Sequence, residues 1–505
     1  MKNTYKTLSL FFVLALTFVS CDLEETPPFL ADSNVYSSVD GATAALNGIY
    51  SSFANFNYYS ADFHHSTLYM SGLFVVKRPT DINSIGKLSP EPSINFTTNL
   101  WRASYEAIAR ANDLIKNVPE NTPDDQLKNI LGITYFLRAH TYFNLVRLYG
   151  GVPLYTEPAT ENSLNQPRAS VTEVYNLIIE DAKKAESLMF DNVTQVDGRP
   201  SKYASNMLLA KVYMTLAEND NASPNWQLAY NEAIKVYNKY TLVSNYGDLW
   251  ATEASANHNS ESIFEINFNE EFSSRITRLF TPNNAFPGRG WERFRVNPEV
   301  VDAHMNTYPG DPRINFTFRS EYTNSSNGAT VKVYPSRTRA SFNNGYPWVN
   351  KYFVKDQTAS TDANNFNYVH YRYADLLLML AEIENELNGP ASAYPYVNEV
   401  LKRARDTNNS AVPADWSGLS QDDFRSAIMK EYHFELLAEG QDFFVSRRRG
   451  FDFFKTNYID VHNARADKPF DIIYPEDPKV MLFPIPSSEI ETNQKINGSD
   501  QNPGY

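Results

Sequence analysis

Most of the residue spacings in this chain that could do chemistry lead nowhere. His64 and His65 are adjacent, so neither a regular strand nor a helix can aim both at one metal ion, and the sequence suggests no third ligand nearby. They suit polar or ligand contacts better than a metal centre, and no metal or cofactor is expected. Ser84 and Lys87 have the S-x-x-K spacing of an acyl-transfer nucleophile, but the partner motifs S-D-N and K-T-G do not follow. The chain has no H-E-x-x-H, no glycine-rich phosphate loop and no G-x-S-x-G elbow, which removes support for zinc hydrolases, nucleotide enzymes and serine hydrolases. A glycosidase carboxylate pair stays open, because 59 acidic residues offer many combinations and such pairs form in space, not in sequence.

A stronger signal is a basic, aromatic stretch. From Phe272 to Lys355, nine arginines and three lysines stand against five carboxylates, although the whole chain has a formal net charge of −14. Phe286, Trp291, Phe294, Tyr334, Phe342, Tyr346, Trp348 and Tyr352 are interleaved with them. Arginine beside aromatic rings suits stacking on sugar faces and bidentate contact with carboxylate or sulfate. The alternative is that these arginines pair with acids elsewhere in the fold or face a partner protein. A second crowd of rings, Tyr58, Tyr59, Phe63, His64, His65 and Tyr69, lies in the stretch from Asn55 to Thr98, which reads as a long irregular loop.

The elements that must position these residues are mainly helical. At 505 residues, 42% hydrophobic and 21% charged, the chain is long and apolar enough for a stable core. Its acidic balance excludes a general nucleic-acid binder. Helical periodicity comes in pairs: Trp101 to Val118 with Leu127 to Tyr149, then Val171 to Met189 with Lys202 to Glu218, followed by Trp226 to Tyr240. Another pair, Tyr371 to Leu387 and Ala393 to Arg405, precedes Phe424 to Ala438, which ends at Gly440, a candidate C-cap. Recurring Ala with Leu or Tyr in these pairs resembles a loose tetratricopeptide pattern, in which stacked pairs share one continuous core. The helix from Tyr371 to Ile383 is apolar nearly all round and should be buried on several sides. Between the helical blocks, residues 260–355 carry short β-like runs at Ile263 to Phe268 and Thr330 to Tyr334.

The N-terminus sets the expected compartment. Lys2 and Lys6 precede an apolar run from Leu8 to Val19, too short for a membrane span and of signal-peptide length. It ends at Cys21, the single cysteine of the chain, in a setting that resembles the lipobox of bacterial lipoproteins. Acylation there would leave no thiol for disulfides or sulfur-ligated metal, and would hold the protein on a membrane without threading it through. Residues 1–20 are thus read as signal peptide, 21–40 as acylated N-terminus and solvated tether, and 41–505 as one domain with loop-rich insertions at about 55–98 and 260–355.

Further segments, taken in order, resemble the SusD/RagB outer-membrane lipoproteins of polysaccharide utilisation systems. They are Asn47, Gly48, Ile49 and Tyr50; Trp101, Tyr105, Ile108, Ala111 and Asn112; Phe136 to Phe143; Leu148 to Pro153; Gly310 to Arg313; Tyr371 to Glu382; Phe483 to Pro486; and Gln501 to Tyr505. One signature departs: Tyr432 stands where an Arg follows the first glutamate, and Asp442 and Val445 replace an Arg and an Asp after Glu439 and Gly440. That departure puts local ion pairs in doubt, not the fold. The resemblance implies four tetratricopeptide-like units supporting a loop-rich ligand face, no enzymatic activity, and a SusC-type TonB-dependent transporter as partner in the outer membrane. It further implies an oligosaccharide ligand, or a peptide in some members. Ligand sites in the family lie in variable loops, so position and chemistry select the candidates here: Tyr58, Tyr59, His64 and Tyr69 from the early stretch, and Arg289, Trp291, Arg293, Tyr346 and Trp348 from the basic one. Trp101 is assigned to the core. The basic stretch leans toward an acidic or sulfated glycan.

Overall fold

The computed structural model describes residues 36–76, 83–193, 198–333, 346–356, 358, 364–468 and 471–505. The signal-like segment, Cys21, most of the tether, and Tyr334, Arg337, Arg339 and Phe342 of the basic stretch lie outside these residues.

Helices dominate, and local chemistry explains their ends. Helix α1, Val39–Phe53, starts where the Ser38 side chain accepts from Gly41 N, an N-cap that satisfies an otherwise orphaned donor. Helix α2 is Asp62–Met70 and α3 is Asn95–Asn117. Asp124 caps α4, Asp125–Tyr149, which stops at Gly150 with φ +75. A reciprocal box between Ser170 and Glu173 opens α5, Val171–Leu188. Then come α6, Lys202–Ala217; α7, Asn225–Val236; α8, Pro298–Thr307; α9, Tyr373–Asn388; α10, Pro390–Asp406; α11, Gln421–Leu436; and α12, Asp442–Arg447. Each of α3 to α6 packs on the next, α7 reaches α9, and α9 holds both α10 and α11. Every residue of α9 from Tyr373 to Glu386 is buried, as its all-round apolar pattern requires.

Strands are short and form antiparallel pairs. β1 (Phe74–Val76) pairs with β3 (Phe294–Val296), β2 (Ser262–Ile266) with β8 (Tyr368–Arg372), β4 (Phe318–Arg319) with β7 (Trp348–Val349), and β5 (Glu321–Thr323) with β6 (Thr330–Lys332). The 260–355 region is accordingly the β-containing, loop-rich part. Gly440 lies beyond the end of α11 at Leu436, so it is not the C-cap of that helix. Its φ of +77 and a Cβ position 1.9 Å from Tyr368 Oη demand glycine for another reason, the close packing of β8.

The stretch from Asn55 to Thr98 corrects the loop reading. It contains a π-helical turn at Phe56–Ser60 and all of α2, in which every residue is buried. Enough apolar ring surface is concentrated there to make the segment core, and the histidines go inside with it.

A charged cluster sits within this apolar body. Arg313 bonds Asp311, Glu431 and Glu435; Arg372 bonds Glu261, Glu435 and Glu439; Arg403 bonds Glu261 and Glu435; Lys351 bonds Glu439. All of these side chains are buried, so each charge depends on its partners. Burial by itself raises Glu435, but Arg403, Arg372 and Arg313 override it and hold the carboxyl far below its usual range.

Candidate functional site

The structure divides the nine sequence candidates in two. Tyr58, Tyr59, His64, Tyr69, Tyr346 and Trp348 are at most 1% exposed, and as buried side chains they are corrected from ligand contacts to core residues. Tyr58 and Tyr59 stack at 4.3 Å, and Tyr59 Oη meets His140 Nε2 at 2.7 Å. His64 stands edge-on to Tyr368 at 4.8 Å; burial, with His65 adding to it, pushes its imidazole down to about 3. Tyr69 packs on Phe294 at 4.7 Å, and Tyr346 donates to the Asp467 carbonyl at 2.9 Å. Trp348 donates to Glu292 Oε1 at 2.8 Å while Arg295 lies 4.2 Å over its ring.

Arg289, Trp291 and Arg293 remain at the surface: Arg289 is exposed, and Trp291 and Arg293 are half-buried. They belong to a strap at 286–293 laid against the short helix Ile276–Phe280. Trp291 N donates to Arg278 O at 2.7 Å, Arg293 N to Leu279 O at 2.6 Å, and Glu292 N to Thr281 O at 2.9 Å. Gly290 permits this approach, since a Cβ there would stand 1.9 Å from Thr281 O. Over the Trp291 ring lie the Arg278 guanidinium at 4.4 Å and that of Arg293 at 5.6 Å, a geometry that attracts cations to the π face. Phe56, 44% exposed, meets the same ring edge-on at 6.0 Å. Trp291 and Phe56 therefore form a ring platform flanked by guanidinium groups.

Phe56 and Arg278 were missed by sequence reasoning. Asn55 and Asn57 flank Phe56, and the Asn55 side chain accepts from Asn57 N at 2.9 Å. That turn chemistry was the available signal that the ring between them faces out.

Much of the expected basic island is used internally. Arg295 pairs with Glu292, Arg313 and Lys351 join the buried cluster, and Lys332 pairs with Glu321 at 2.7 Å. Arg319 donates to the Glu321 carbonyl at 2.9 Å and lies over Phe353. Among the described residues, Arg289 and Arg293 make no ion pair. No cluster of His, Cys, Asp and Glu suited to a metal occurs among the described residues.

Comparison with known proteins decides what kind of chain carries this platform. Residues 187–505, well over half of it, match the model described as the SusD family. The chain belongs to the SusD family. Residues 45–214 also match a model described as starch-binding and associating with the outer membrane. Its relatives include SusD-like protein P25 of Formosa agariphila, 25% identical with 99% of each chain covered. A SusD homolog from Bacteroides thetaiotaomicron superposes with a TM-score of 0.80 at 22% identity, over 94% of this chain and 98% of that one. A laminarin-binding SusD-like protein superposes at 0.71 with 24% identity, over 92% and 99%.

Glu431 and Glu439, the glutamates beside which the departures were read, both belong to the charged cluster, where Glu431 bonds Arg313 and Glu439 bonds Arg372 and Lys351. The departures leave it intact. Tyr432 is buried, Asp442 accepts from Ala438 N at 2.9 Å, and Val445 borders a cavity. No helix among the described residues is long and apolar enough to cross a membrane.

Proposed function

We propose that this SusD-family protein captures oligosaccharides at the cell surface on the Phe56 and Trp291 platform and passes them to a SusC-type TonB-dependent transporter, without catalysing a reaction. Acylated Cys21 would tether it to the outer membrane, and the tether would let the loop-rich face close over the transporter. The observation that carries the reading is Trp291, half-buried and braced by Arg278 and Arg293 beside exposed Phe56. A pyranose face stacks on such a ring, and guanidinium groups donate to hydroxyl, carboxylate or sulfate oxygens. Because Arg289 and Arg293 are not neutralised by a carboxylate among the described residues, they favour an acidic or sulfated chain. One structural neighbour is by its description a laminarin binder, which supports a glycan ligand over a peptide.

The five carboxylates of the basic segment argue against a hydrolase. Glu292 pairs with Arg295, Glu299 with His462, Asp302 with Arg465, Asp311 with Arg313 and Glu321 with Lys332. Burial alone raises Asp311, but Arg313 and His304 bring it down to about 2, the reverse of what a general acid needs.

Calorimetric titration of the chain from Asp22 onward with neutral and sulfated oligosaccharides tests the reading. Saturable heat that Trp291→Ala abolishes is expected. If binding instead survives both Trp291→Ala and Phe56→Ala, the platform is not the site. Binding of the sulfated chain that does not weaken with added salt would remove the ionic part of the reading.

A further inference from the structure

A cavity of about 340 Å³ opens between α4, α6, α9 and the α11–α12 corner, and none of Phe56, Arg278, Trp291 or Arg293 lines it. The volume lies within the range of about 300–1,000 Å³ typical of small-molecule sites. Its walls are apolar, with Met214, Met379, Met481, Leu482 and Phe443, yet Arg147, Lys211, Arg447 and Arg448 line it too.

Arg147 and Arg447 are the two of these cations that make no ion pair among the described residues, and Arg147 is the one beside Lys211. Its guanidinium lies between the rings of Phe143 and Phe444, 3.6 Å from each. Nε and Nη2 are held by Phe143 O at 3.0 Å and Asn144 Oδ1 at 2.7 Å, and among the described residues it makes no ion pair. Burial pushes it down to about 10, and the nearby tyrosines and Asp375 only partly offset the desolvation. Lys211 has Asp375 at 2.7 Å, but Arg147 and Arg448 both press on it as like charges. Arg448 reaches Glu382 through Nη2 at 2.5 Å, and its side chain is 9% exposed. Its Nη1 and the Tyr432 hydroxyl, both from cavity-lining side chains, have no hydrogen-bond partner. The lining holds four cations, Arg147, Lys211, Arg447 and Arg448, against two carboxylates, Glu218 and Asp375.

Tyr432 and Val445 line the cavity as well, and neither adds a carboxylate to it. We propose that this cavity is a second ligand site, taking a small monocarboxylate whose oxygens face Arg147 and Lys211 and whose hydrocarbon body lies against the three methionines. This is separate from the glycan platform, and neither reading depends on the other.

Three of the nine methionines line the cavity, which gives a site-specific readout. The chain from Asp22 onward, labelled with ¹³C-methyl methionine, is titrated with hexanoate and, in parallel, with hexanamide of the same shape. Hexanoate should shift the methyls of Met214, Met379 and Met481 saturably while Met305 and Met429 stay put. Arg147→Gln should weaken binding by about tenfold or more. Val445→Asp supplies an internal carboxylate and should abolish binding; because it adds a counter-charge without removing a packed cation, it keeps the test open if Arg147→Gln fails to fold. Equal shifts with hexanamide, no saturable shift at Met214, Met379 or Met481, or undiminished binding to a folded Val445→Asp chain would each overturn the proposal.

Discussion

Trp291 and Trp348 stand in the same stretch of sequence with arginines on either side, yet one faces solvent and the other is 0% exposed. The difference is set by their partners. Trp348 has Glu292 for its indole N–H and Arg295 over its ring, so arginine and tryptophan in this case complete each other inside the fold. Trp348→Ala is therefore expected to destabilise the protein by roughly 3–5 kcal/mol, whereas Trp291→Ala should leave the unfolding midpoint nearly unchanged; denaturant titration of both variants checks this. The buried histidines make a further prediction. Burial pushes His64 and His140 down to about 3, so they stay neutral in the folded protein while the unfolded chain protonates them near pH ~6.5. Their contribution is present in full above that pH and is lost as pH falls toward 3, at up to ~1.4 kcal/mol per pH unit for each residue. Below pH ~4.5 the depressed carboxylates Asp311 and Glu382, both held near 2 against the raising effect of burial by their arginine partners, steepen the loss. Melting temperature should hold from pH 8 to about 6.5 and fall from there to pH 4, and His140→Gln should flatten the slope between pH ~6.5 and ~5; an unchanged slope would contradict the assignment.

At the level of elements, helices were legible where chemistry is local. The Ser170 and Glu173 box, Gly150 and the all-round apolar pattern of α9 all speak from a few adjacent residues. The early stretch was illegible for the opposite reason. Whether Tyr58, Tyr59, His64 and Tyr69 face water depends on His140, Phe294 and Tyr368, which lie far along the chain. Ring-rich sequence therefore marked segments whose rings are mostly buried in the core, and it passed over exposed Phe56 beside them. The platform itself depends on the 286–293 strap. Gly290→Ala would force a Cβ into the Thr281 carbonyl, so it should lower glycan affinity by displacing Trp291 while the helical body keeps its circular dichroism. Native affinity in this variant would show that the strap does not position the ring.

At the level of the molecule, the acidic chain folds around a cluster in which four cations serve five buried carboxylates contributed by residues between Glu261 and Glu439. That cluster fastens β2, β8, α10 and α11 together, and it takes Arg313 and Lys351 out of the basic stretch, which is the internal pairing that the sequence left open. Arg372→Met would leave Glu261, Glu435 and Glu439 undercompensated and should cost roughly 3–5 kcal/mol, read from chemical denaturation. What is left of the basic stretch at the surface is small, and the account of function rests on it. The most direct measurement is calorimetry of the chain from Asp22 onward with laminarin fragments and sulfated oligosaccharides, beside its Trp291→Ala and Phe56→Ala variants. Saturable binding to at least one glycan, lost in Trp291→Ala and weakened in Phe56→Ala with the fold intact, is the predicted result. Glycan binding that both variants retain would contradict the platform, and the absence of any glycan heat in the native chain would contradict capture by this protein alone.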